Sequence, residues 1–432
     1  MHIAFVAPEY PPGRSANGIT TYTAIMAEEL GRRGHRITVF CQKPDGAVPG
    51  NAADTVRAKY VEPSIVKVPL WRIFYYRCLG RVFHGYVQGR DTGTALHRSI
   101  DLVHWQDPID LVECPEVRGV ACWLYALSMP VTLRLHAAVA VGWTYSGAPW
   151  GYRQRAIARV ERRALRHAEF VSAPSTAVVE ETKRILNVEL PHARIIPNPC
   201  PPAKTSFLEA VAQSPRTILF VGNVSFLKGF DLAIDAFVRL ASQTAYEDVC
   251  LEIAGAEYRR EQGGFLPVSA ESYIREKIAD AHVRSRIKLL GRLSADDVRR
   301  LRRPARITIV PSRFENFPNT VLEAMAAGCA LVAAQAGGIV EIVEHERNGL
   351  FFRAGDSQDL ARQIVILLDN PDFCERLGRQ ARQDVQARFS PQVIGDRMEA
   401  YYREVIDRSC SWRSRSSRRL APQPEPGRPL RL

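Results

Sequence analysis

Short apolar runs alternate with helical segments along the whole chain, and this alternation restricts the fold more than any other feature of the sequence. Near the start, strand-like runs at Ile3–Ala7 and Ile37–Phe40 flank a helical pattern over Thr20–Arg33. Parallel strands joined by helices give this order, because a parallel crossover needs a long connection that is usually helical. The sequence therefore predicts an α/β chain whose parallel sheets are covered by helices on both faces.

The same alternation continues on both sides of a proline-rich break at Asn198–Ala203. Further strands before the break are predicted at Leu102–Trp105, Val131–Leu135, Phe170–Ala173 and Ile195–Ile196. Strands after it are predicted at Thr217–Val221, Leu251–Ala254, Ile287–Leu290, Ile307–Val310, Ala330–Ala333 and Leu350–Phe352. The later helices are predicted at Asp231–Leu240, Tyr273–Ala281, Ala295–Arg303 and Asn319–Ala327. Two α/β halves with a ligand cleft between them explain this order better than one Rossmann domain joined to an unrelated domain.

Composition excludes several classes of protein. The 432 residues, 46% hydrophobic and 24% charged, are typical of a globular protein of two or three domains. No apolar run is long enough to span a membrane, and the longest, Gly119–Val131, is predicted to be a buried helix. Nine cysteines without a C-x-x-C pair favour neither a disulfide framework nor a zinc site. Because the first residues also lack a signal peptide pattern, we expect a cytoplasmic protein, at most peripheral at the inner face of the plasma membrane.

The net charge of +12 is unevenly distributed. The segment Ser409–Leu432 has six arginines and one glutamate, and its Ser, Pro and Arg content predicts a disordered basic tail. The remaining positive charge suits anionic substrates or an acidic membrane surface. No nucleic-acid motif accompanies it, so nucleic acid is not an expected partner.

The stretch Pro311–Gly338 contains the chemistry that the sequence shows most clearly. Its strand-to-helix loop contains Glu315, and Glu323 follows about one turn into the helix. Free N–H groups at a helix start can bind phosphate, and carboxylates accept hydrogen bonds from hydroxyls. A nucleotide sugar offers both kinds of group. The alternative is an ordinary helix in which Glu323 is exposed and Glu315 is merely favoured near the positive helix end.

The helix itself is predicted from its apolar spacing. The core-facing stripe consists of Val321, Leu322, Met325 and Ala326, and Gly328 closes the helix. Pro318 is tolerated in the first turn, and either Asn316 or Asn319 is expected to cap it.

The C-terminal half resembles the retaining glycosyltransferases of glycosyltransferase family 4. The resemblance spans about residues 216–390 and is carried by ILFVGNVSFLKGFDLAIDAF, IKLLGRLSADDV and PSRFENFPNTVLEAMAAGCALVAAQAGGIVEIVEHERNGLFF. It implies the GT-B fold, in which two Rossmann-like α/β/α domains face each other across a cleft. The domains are then an acceptor-side domain, 1–203, and a donor domain, 204–390, with a helix over 391–408 crossing back to the first domain. Residues 409–432 form the tail.

The resemblance also implies roles for residues on the donor side. Glu315 binds donor-sugar hydroxyls, Glu323 binds the nucleotide ribose, and Lys228 clamps the diphosphate. The remaining donor-binding residues in this half are Gly222, Asn223, Arg292, Asn316, Phe317, Pro318, Asn319 and Thr320. Asn223 stands where the family commonly has arginine, so either Arg14, Arg292 or Arg313 supplies the missing charge, or the phosphate is held more weakly.

On the other side of the cleft, the resemblance is looser. His136, at the end of VTLRLH, aligns with a family histidine near the donor sugar, although the Asp that often follows is replaced by Ala137. It is assigned a catalytic role with Glu315 and Lys228, and the alternative is a structural histidine. Gly18 would let the backbone approach the diphosphate or the acceptor, although Asn17–Gly18 also fits an ordinary loop.

The implied reaction is transfer with retention, in which the leaving phosphate accepts the acceptor's proton. The chain has no Asp-x-Asp, so we expect transfer without a metal and without a cofactor other than the nucleotide sugar. A GT-B sugar-nucleotide epimerase remains an alternative. An NAD-dependent oxidoreductase is disfavoured because no G-x-G-x-x-G follows the first strand, and a noncatalytic basic binding protein would need only the tail and the helix Gly151–His167.

The acceptor is less constrained than the donor. We expect a saccharide or lipid-linked acceptor, with a small-molecule natural product as the alternative. The aromatic and basic stretch Pro69–Gly89 can lie on an anionic membrane or pack in the core. The arginine-rich helix Arg153–Arg166 is predicted to be half solvated.

Overall fold

Parallel strands form one sheet in each half of the chain. The computed structural model describes residues 1–10, 17–42, 56–61, 89–203, 216–257, 269–302 and 307–420, with side chains described through residue 410. The first sheet consists of β1 (His2–Glu9), β2 (Arg36–Gln42), β3 (Val56–Tyr60), β4 (Leu111–Pro115), β5 (Val131–Arg134), β6 (Phe170–Ala173) and β7 (Arg194–Ile195). Its spatial order is β3-β2-β1-β4-β5-β6-β7, so the winding direction reverses between β1 and β4.

Helices cover both faces of this sheet. They are α1 (Gly18–Arg32), α2 (89–106), α3 (Val139–Thr144), α4 (Tyr152–His167) and α5 (Thr176–Leu186), with a 3₁₀ segment at Val117–Trp123.

The second sheet repeats the design. Its strands are β8 (Thr217–Val221), β9 (Cys250–Ala254), β10 (Ile287–Gly291), β11 (Ile307–Val310), β12 (Ala330–Ala334) and β13 (Leu350–Phe352). The order is β10-β9-β8-β11-β12-β13, so the reversal lies between β8 and β11. The accompanying helices are α6 (Phe230–Ala241), α7 (Ala270–Lys277), α8 (Ala281–Ser285), α9 (Ala295–Arg302), α10 (Asn319–Ala326), α11 (Ser357–Asp369) and α12 (Pro371–Phe389), with 3₁₀ segments at Thr244–Tyr246 and Gly337–Glu341.

Burial on both faces explains why the central strands are apolar throughout. All four residues of β11 are buried, with Ile307 and Ile309 in one core cluster and Val310 in the cluster on the opposite face. Side chains of successive strand residues point to opposite faces, so a strand between two helical layers needs an apolar residue at every position. The two parallel sheets, each covered by helices, confirm the predicted two-domain α/β fold.

The last helix crosses back to the first domain, as predicted. In α13 (Pro391–Leu420), Ile394, Met398 and Tyr402 join the core cluster of β1 and α1. The Tyr402 hydroxyl donates a 2.7 Å hydrogen bond to the buried Glu113 carboxylate. The helix continues to Leu420, so the prediction of a disordered tail from Ser409 is wrong for residues 409–420, while residues 421–432 lie outside the described part.

Two other predictions in the first half are wrong. The run Leu102–Trp105 lies in α2, where Leu96, Ile100 and Val103 are buried at helical spacing while Leu102 and Trp105 are exposed. The neighbouring strand is instead β4. Gly119–Val131 is not a continuous helix, because the 3₁₀ segment ends at Trp123 and turns lead into β5.

Two general observations complete the fold. Of the described helices, none combines the length and the apolar character that a bilayer crossing requires. The described cysteines are all free thiols.

Candidate functional site

The loops that follow β8 and β11 meet at the winding reversal of the second sheet. Ligands bind in α/β sheets at this point, where two neighbouring crossovers leave on opposite faces and open a crevice. Gly229, after β8, has a left-handed φ of 72°, and a Cβ there would lie 2.0 Å from the Pro311 carbonyl oxygen. Only glycine allows the two loops to approach this closely.

A lysine and a carboxylate face each other across this junction. The Lys228 Nζ lies 2.6 Å from the Glu315 Oε1, and the Ser312 hydroxyl donates a 2.8 Å hydrogen bond to the same oxygen. Glu315 is 9% exposed, whereas the Lys228 side chain is 29% exposed. The arrangement holds one cation and one hydrogen-bond acceptor side by side at the mouth of the crevice, ready for an anion and for hydroxyl groups.

The loop containing Glu315 is packed tightly from the side of β12. A Cβ on Gly338 would lie 1.8 Å from the Asn316 carbonyl oxygen, and the Gly338 N–H donates a 2.8 Å hydrogen bond to the Glu315 carbonyl. These contacts fix the backbone of Glu315, so the starting position of its side chain is fixed as well.

Helix α10 begins directly after this loop without a side-chain cap. Pro318 occupies the N-cap position, and no side chain accepts a hydrogen bond from the first turn. The prediction that Asn316 or Asn319 caps the helix is wrong, because Asn319 lies inside the helix and the Asn316 amide donates instead to the His136 carbonyl. A helix start without a side-chain cap provides N–H groups for an anion.

Glu323, one turn into α10, pairs with a buried arginine. The Arg302 Nη1 lies 2.6 Å from the Glu323 Oε2, and the side chains are 1% and 42% exposed. The Nε and Nη2 of Arg302 are buried and have no hydrogen-bond partner among the described residues. The guanidinium thus holds one oxygen of the carboxylate, while the Glu323 side chain stays partly exposed.

Contacts from several residues of the first domain reach the Glu315 loop. The Ser175 hydroxyl donates a 2.6 Å hydrogen bond to the Asn316 carbonyl, and the Asn316 amide donates to the carbonyl of His136. The rings of Tyr145 and Phe314 stack with centroids 4.4 Å apart. The donor-side loop and the end of β5 therefore line the same cleft.

His136 lies at the carboxyl end of β5 and is half-buried. Its ring contacts that of Tyr22 edge-on, with centroids 5.1 Å apart. The Arg134 guanidinium lies over the Tyr22 ring, 4.3 Å from the centroid of that ring. Burial, and secondarily the Arg134 charge, hold the pKa of His136 well below its usual value. The imidazole is therefore neutral near pH 7 and can both donate and accept a hydrogen bond.

Comparison with known proteins agrees with this geometry. Residues 16–204 match the family model described as Glycosyltransferase Family 4, and residues 204–384 match that described as Glycosyl transferases group 1. The chain belongs to glycosyltransferase family 4, which has the GT-B fold.

Individual relatives cover nearly the whole enzyme. The glycogen synthase of Mycobacterium tuberculosis is 25% identical over 411 residues, which is 91% of this chain and 92% of that protein. Among solved structures, the sucrose-phosphate synthase of Thermosynechococcus elongatus gives a TM-score of 0.73 at 20% identity, covering 94% of this chain and 99% of that chain. Anabaena HepE in complex with UDP-glucose gives 0.66 at 18% identity, covering 95% and 99%. These two likenesses show the fold.

Other predicted donor-binding residues lie in the two loops that contain Lys228 and Glu315. Gly222 and Asn223 follow β8 in the loop that leads to Lys228. Phe317 and Thr320 flank the start of α10. These residues belong to the same pair of loops as Glu315, in agreement with their predicted role in donor binding, which stays a prediction.

Two of the three arginines proposed to compensate for Asn223, Arg313 and Arg292, lie in the described part of the chain. Arg313 donates two hydrogen bonds, of 2.8 and 2.7 Å, to the Asp231 carboxylate and lies 3.5 Å over the Phe226 ring, so it supports the loop. Arg292 follows the outermost strand, β10, two strands away from β8. Arg14 lies outside the described residues.

Gly18 is the first residue of α1, and nothing lies within 4 Å of a Cβ built on it. The Asn17 side chain caps the helix, accepting hydrogen bonds of 3.0 and 3.1 Å from the N–H groups of Ile19 and Thr20. Among the described residues, no hydrogen bond joins Gly18 to the Lys228–Glu315 centre, and the preceding residues 11–16 lie outside the described part.

Sequence reasoning missed several residues that shape the site. Ser312 could have been found from its position three residues before Glu315. Arg302 could not, because it is one of many arginines in its segment. Glu341 accepts hydrogen bonds of 3.0 and 2.9 Å from the N–H groups of Thr176 and Ala177, and this link between the domains has no local sequence signal.

Proposed function

We propose that this glycosyltransferase moves a sugar from a nucleoside diphosphate sugar to a saccharide or lipid-linked acceptor, with retention and without a metal. The observation that carries the proposal is the Lys228–Glu315 pair at the β8/β11 reversal, 2.6 Å apart beside the open start of α10. HepE, whose fold is similar, binds UDP-glucose, which supports a donor of this class.

Donor binding exchanges the partners of this pair. A diphosphate carries more negative charge than a single carboxylate, so Lys228 turns to the diphosphate and the α10 N–H groups bind the same anion. Glu315, still held by Ser312, is then free to accept hydrogen bonds from the sugar hydroxyls. Both groups are already in place before the donor arrives, which limits the cost of ordering them.

The nucleoside is bound by the next turn of α10. Glu323 accepts hydrogen bonds from the ribose hydroxyls on its exposed side, while Arg302 holds the other side. A buried guanidinium with a single ion pair restricts the rotamers of the carboxylate. Arg302 therefore acts as a positioning residue for Glu323.

In the proposed transfer, the bond between the anomeric carbon and the β-phosphate oxygen breaks, and the acceptor oxygen forms its bond on the same face. The departing phosphate oxygen takes the acceptor's proton, so no side chain has to act as a base. Lys228 stabilises the charge that develops on the diphosphate, and neutral His136 hydrogen-bonds the sugar. Glu315 is assigned to positioning, since it is fixed by Lys228 and Ser312 in the free enzyme.

Transfer without a metal is supported by protein groups that would neutralise the charge of the diphosphate. The sequence has no Asp-x-Asp, and Lys228 with the α10 N–H groups supplies positive potential at the diphosphate. We expect transfer to continue at full rate in excess EDTA.

The acceptor side offers a basic surface on α4. Arg153, Arg155, Arg159 and Arg163 are exposed, and none forms an ion pair within the described part of the chain. Near an anionic membrane each arginine contributes about 1 kcal/mol, which supports a lipid-linked acceptor. The stretch Pro69–Gly89 lies almost entirely outside the described residues and neither adds to this argument nor weakens it.

Vesicle sedimentation tests the membrane part. Arg155→Glu with Arg159→Glu is expected to abolish binding to vesicles rich in anionic lipid. The matched control is Arg275→Glu with Arg379→Glu, which reverses two arginines exposed on the second domain. Equal binding to anionic and neutral vesicles by the wild type would contradict a membrane role for α4.

Release of nucleoside diphosphate tests the reaction itself. Each of a panel of nucleotide sugars is incubated with and without saccharide acceptors, with and without EDTA, and the product's anomeric configuration is read by NMR. We expect release that depends on the acceptor and a product with the donor's configuration. Conversion of the donor into another nucleotide sugar without acceptor would instead establish an epimerase, and an inverted product would contradict retention.

A further inference from the structure

Two fully buried carboxylates lie beneath the loop that contains His136, and the proposed reaction uses neither. They are Glu116, just after β4, and Glu161, on α4, and both have an exposed fraction of 0%. Burial of a carboxylate is costly, so its compensating hydrogen bonds indicate what it holds in place.

Glu116 holds the backbone of His136 itself. Its oxygens accept hydrogen bonds of 2.9 and 3.0 Å from the His136 N–H, and its Oε1 accepts one of 2.8 Å from the Ala137 N–H. Strands β4 and β5 are neighbours, so the side chain reaches across from the end of one strand to the end of the next. These hydrogen bonds determine the direction in which the chain leaves β5.

Glu161 holds the following residues of the same loop. Its Oε1 accepts a 2.9 Å hydrogen bond from the Val139 N–H, and its Oε2 accepts one of 3.2 Å from the Ala140 N–H. These residues begin α3, whose N-cap residue is an alanine without any side-chain acceptor. Glu161 therefore caps α3 from another helix.

Glu161 also ties this loop to a strained turn. Its Oε1 accepts a 2.9 Å hydrogen bond from the N–H of Arg118, which has a left-handed φ of 57°. The next residue, Gly119, has a φ of 61°, and a Cβ there would lie 2.6 Å from the Val160 carbonyl oxygen. A non-glycine residue in this conformation persists only when its surroundings hold it, and here the carboxylate does so.

The loop is thus fixed from below by two carboxylates, while its upper side faces the donor. On that upper side, the His136 carbonyl accepts the hydrogen bond from Asn316, next to Glu315. An error in the path of residues 136–140 would move the His136 ring relative to the sugar bound at Glu315. A shift of about 1 Å can cost roughly a hundredfold in rate.

We propose that Glu116 and Glu161 are positioning residues that fix His136 against the donor sugar. This inference rests on the proposed function, because it takes the sugar to lie between His136 and Glu315. Neither carboxylate touches the reacting atoms, so each acts only through the loop.

Hydrogen exchange tests the geometry without reference to activity. Glu116→Gln is expected to increase exchange at the N–H groups of His136 and Ala137, and Glu161→Gln at those of Val139 and Ala140. Unchanged protection in both variants would overturn the inference, since the carboxylates would then not be holding the loop.

A double-mutant cycle tests the action through His136. In the wild-type background, Glu116→Gln is expected to lower kcat on the order of 10- to 100-fold, with the Kd for free nucleoside diphosphate unchanged. In a His136→Ala background, the same change is expected to lower kcat less than about threefold, because the group it positions is gone. The drop in Tm should be the same in both backgrounds. If Glu116→Gln does not fold, Glu116→Asp, which keeps the carboxyl group but shortens its reach, is used in the same cycle.

The matched control is Glu113→Gln. Glu113 is a third buried carboxylate, on β4, and it accepts hydrogen bonds from the hydroxyls of Tyr402 and Tyr22 instead of from the backbone of the His136 loop. We expect a lower Tm and a kcat within about twofold of the wild type. Equal losses of kcat from Glu116→Gln with and without His136 would overturn the inference and leave the proposed function standing. A wild type that transfers no sugar from any nucleotide sugar would overturn both.

Discussion

Replacing Arg302 with methionine separates what the buried guanidinium does for folding from what it does for Glu323. The side chain is 1% exposed and donates one ion-paired hydrogen bond to Glu323, while its buried Nε and Nη2 have no partner in the described part of the chain. Methionine fills a similar volume and brings no charge into the core. The substitution should therefore raise the free energy of unfolding but weaken nucleotide binding.

The expected change in stability follows from the hydrogen bonds. Each buried donor without a partner costs about 1–3 kcal/mol, and a hydrogen bond to a charged group contributes about 1.5–3 kcal/mol. Removing one such bond along with two unpartnered donors should change the free energy of unfolding by between about −1 and +4.5 kcal/mol, a range centred on a gain of roughly 2 kcal/mol. Glu323 is not stranded, because its side chain is 42% exposed and can be solvated.

The expected change in affinity is a loss. Without its partner Glu323 samples other rotamers, and the lost ordering should cost about 1.4 kcal/mol, which is a tenfold higher Kd. Urea unfolding gives the first quantity, and calorimetric titration with the best-binding of UDP, GDP and ADP gives the second.

A second buried arginine in the same domain provides the control. Arg286 donates hydrogen bonds of 2.8 and 3.2 Å to the carbonyls of Tyr246 and Ala241. It lies at the amino end of β10, the outermost strand of the second sheet, whereas the proposed site lies at the carboxyl ends of β8 and β11. Arg286→Met should destabilise the protein by about 2–4 kcal/mol without changing the nucleotide Kd. If Arg302→Met destabilises the protein to the same extent and leaves the Kd unchanged, Arg302 is a structural residue and the reasoning is refuted.

Three further predictions concern loop contact, domain contact and pH. Gly229→Ala should destabilise the second domain and weaken nucleotide binding at least tenfold, because its Cβ would lie 2.0 Å from the Pro311 carbonyl oxygen; normal binding by calorimetry would contradict the close approach. Glu341→Ala should lower the free energy of unfolding by about 0.5–2 kcal/mol through loss of its two hydrogen bonds to the first turn of α5, with the nucleotide Kd unchanged. Burial raises the pKa of Glu116 to about 8 and that of Glu161 to about 7. The folded state therefore retains protons that the unfolded chain loses near pH 4.5, so the Tm should fall as pH rises from about 5 to about 8 and should level off above that. The fall should be shallower in Glu116→Gln, and an identical fall in that variant would show that other groups cause it.

The sequence predicted the donor half better than the acceptor half for a physical reason. Strand β11 and helix α10 are buried on their core-facing sides, so the run Ile307–Val310 and the stripe through Met325 identified both of them. Strand β4 was missed because it contains the buried Glu113, whose partner Tyr402 lies far away in the sequence. A charge that is neutralised by a distant partner cannot be distinguished locally from one that faces solvent.

The site was predictable in its carboxylates but not in their supports. Glu315 and Glu323 are on the segment whose pattern is most specific. The contacts that orient them, from Lys228 and Arg302, connect separate crossovers of the sheet. Local spacing alone cannot reveal that Arg302 is the buried member of an arginine-rich segment, because this depends on how α9 packs against α10.

Thermal unfolding with nucleoside diphosphates and their sugars tests the central claim most directly, namely that the Lys228–Glu315 pair binds a nucleotide sugar. At a ligand concentration of 100 times Kd, binding stabilises the folded state by about 2.7 kcal/mol. We expect one nucleoside diphosphate to raise the wild-type Tm and its sugar conjugate to raise it further. Glu315→Ala should lose the additional increase, and Lys228→Ala should lose most of both. If no nucleotide or nucleotide sugar raises the wild-type Tm, the assignment of this pair to a nucleotide sugar is contradicted.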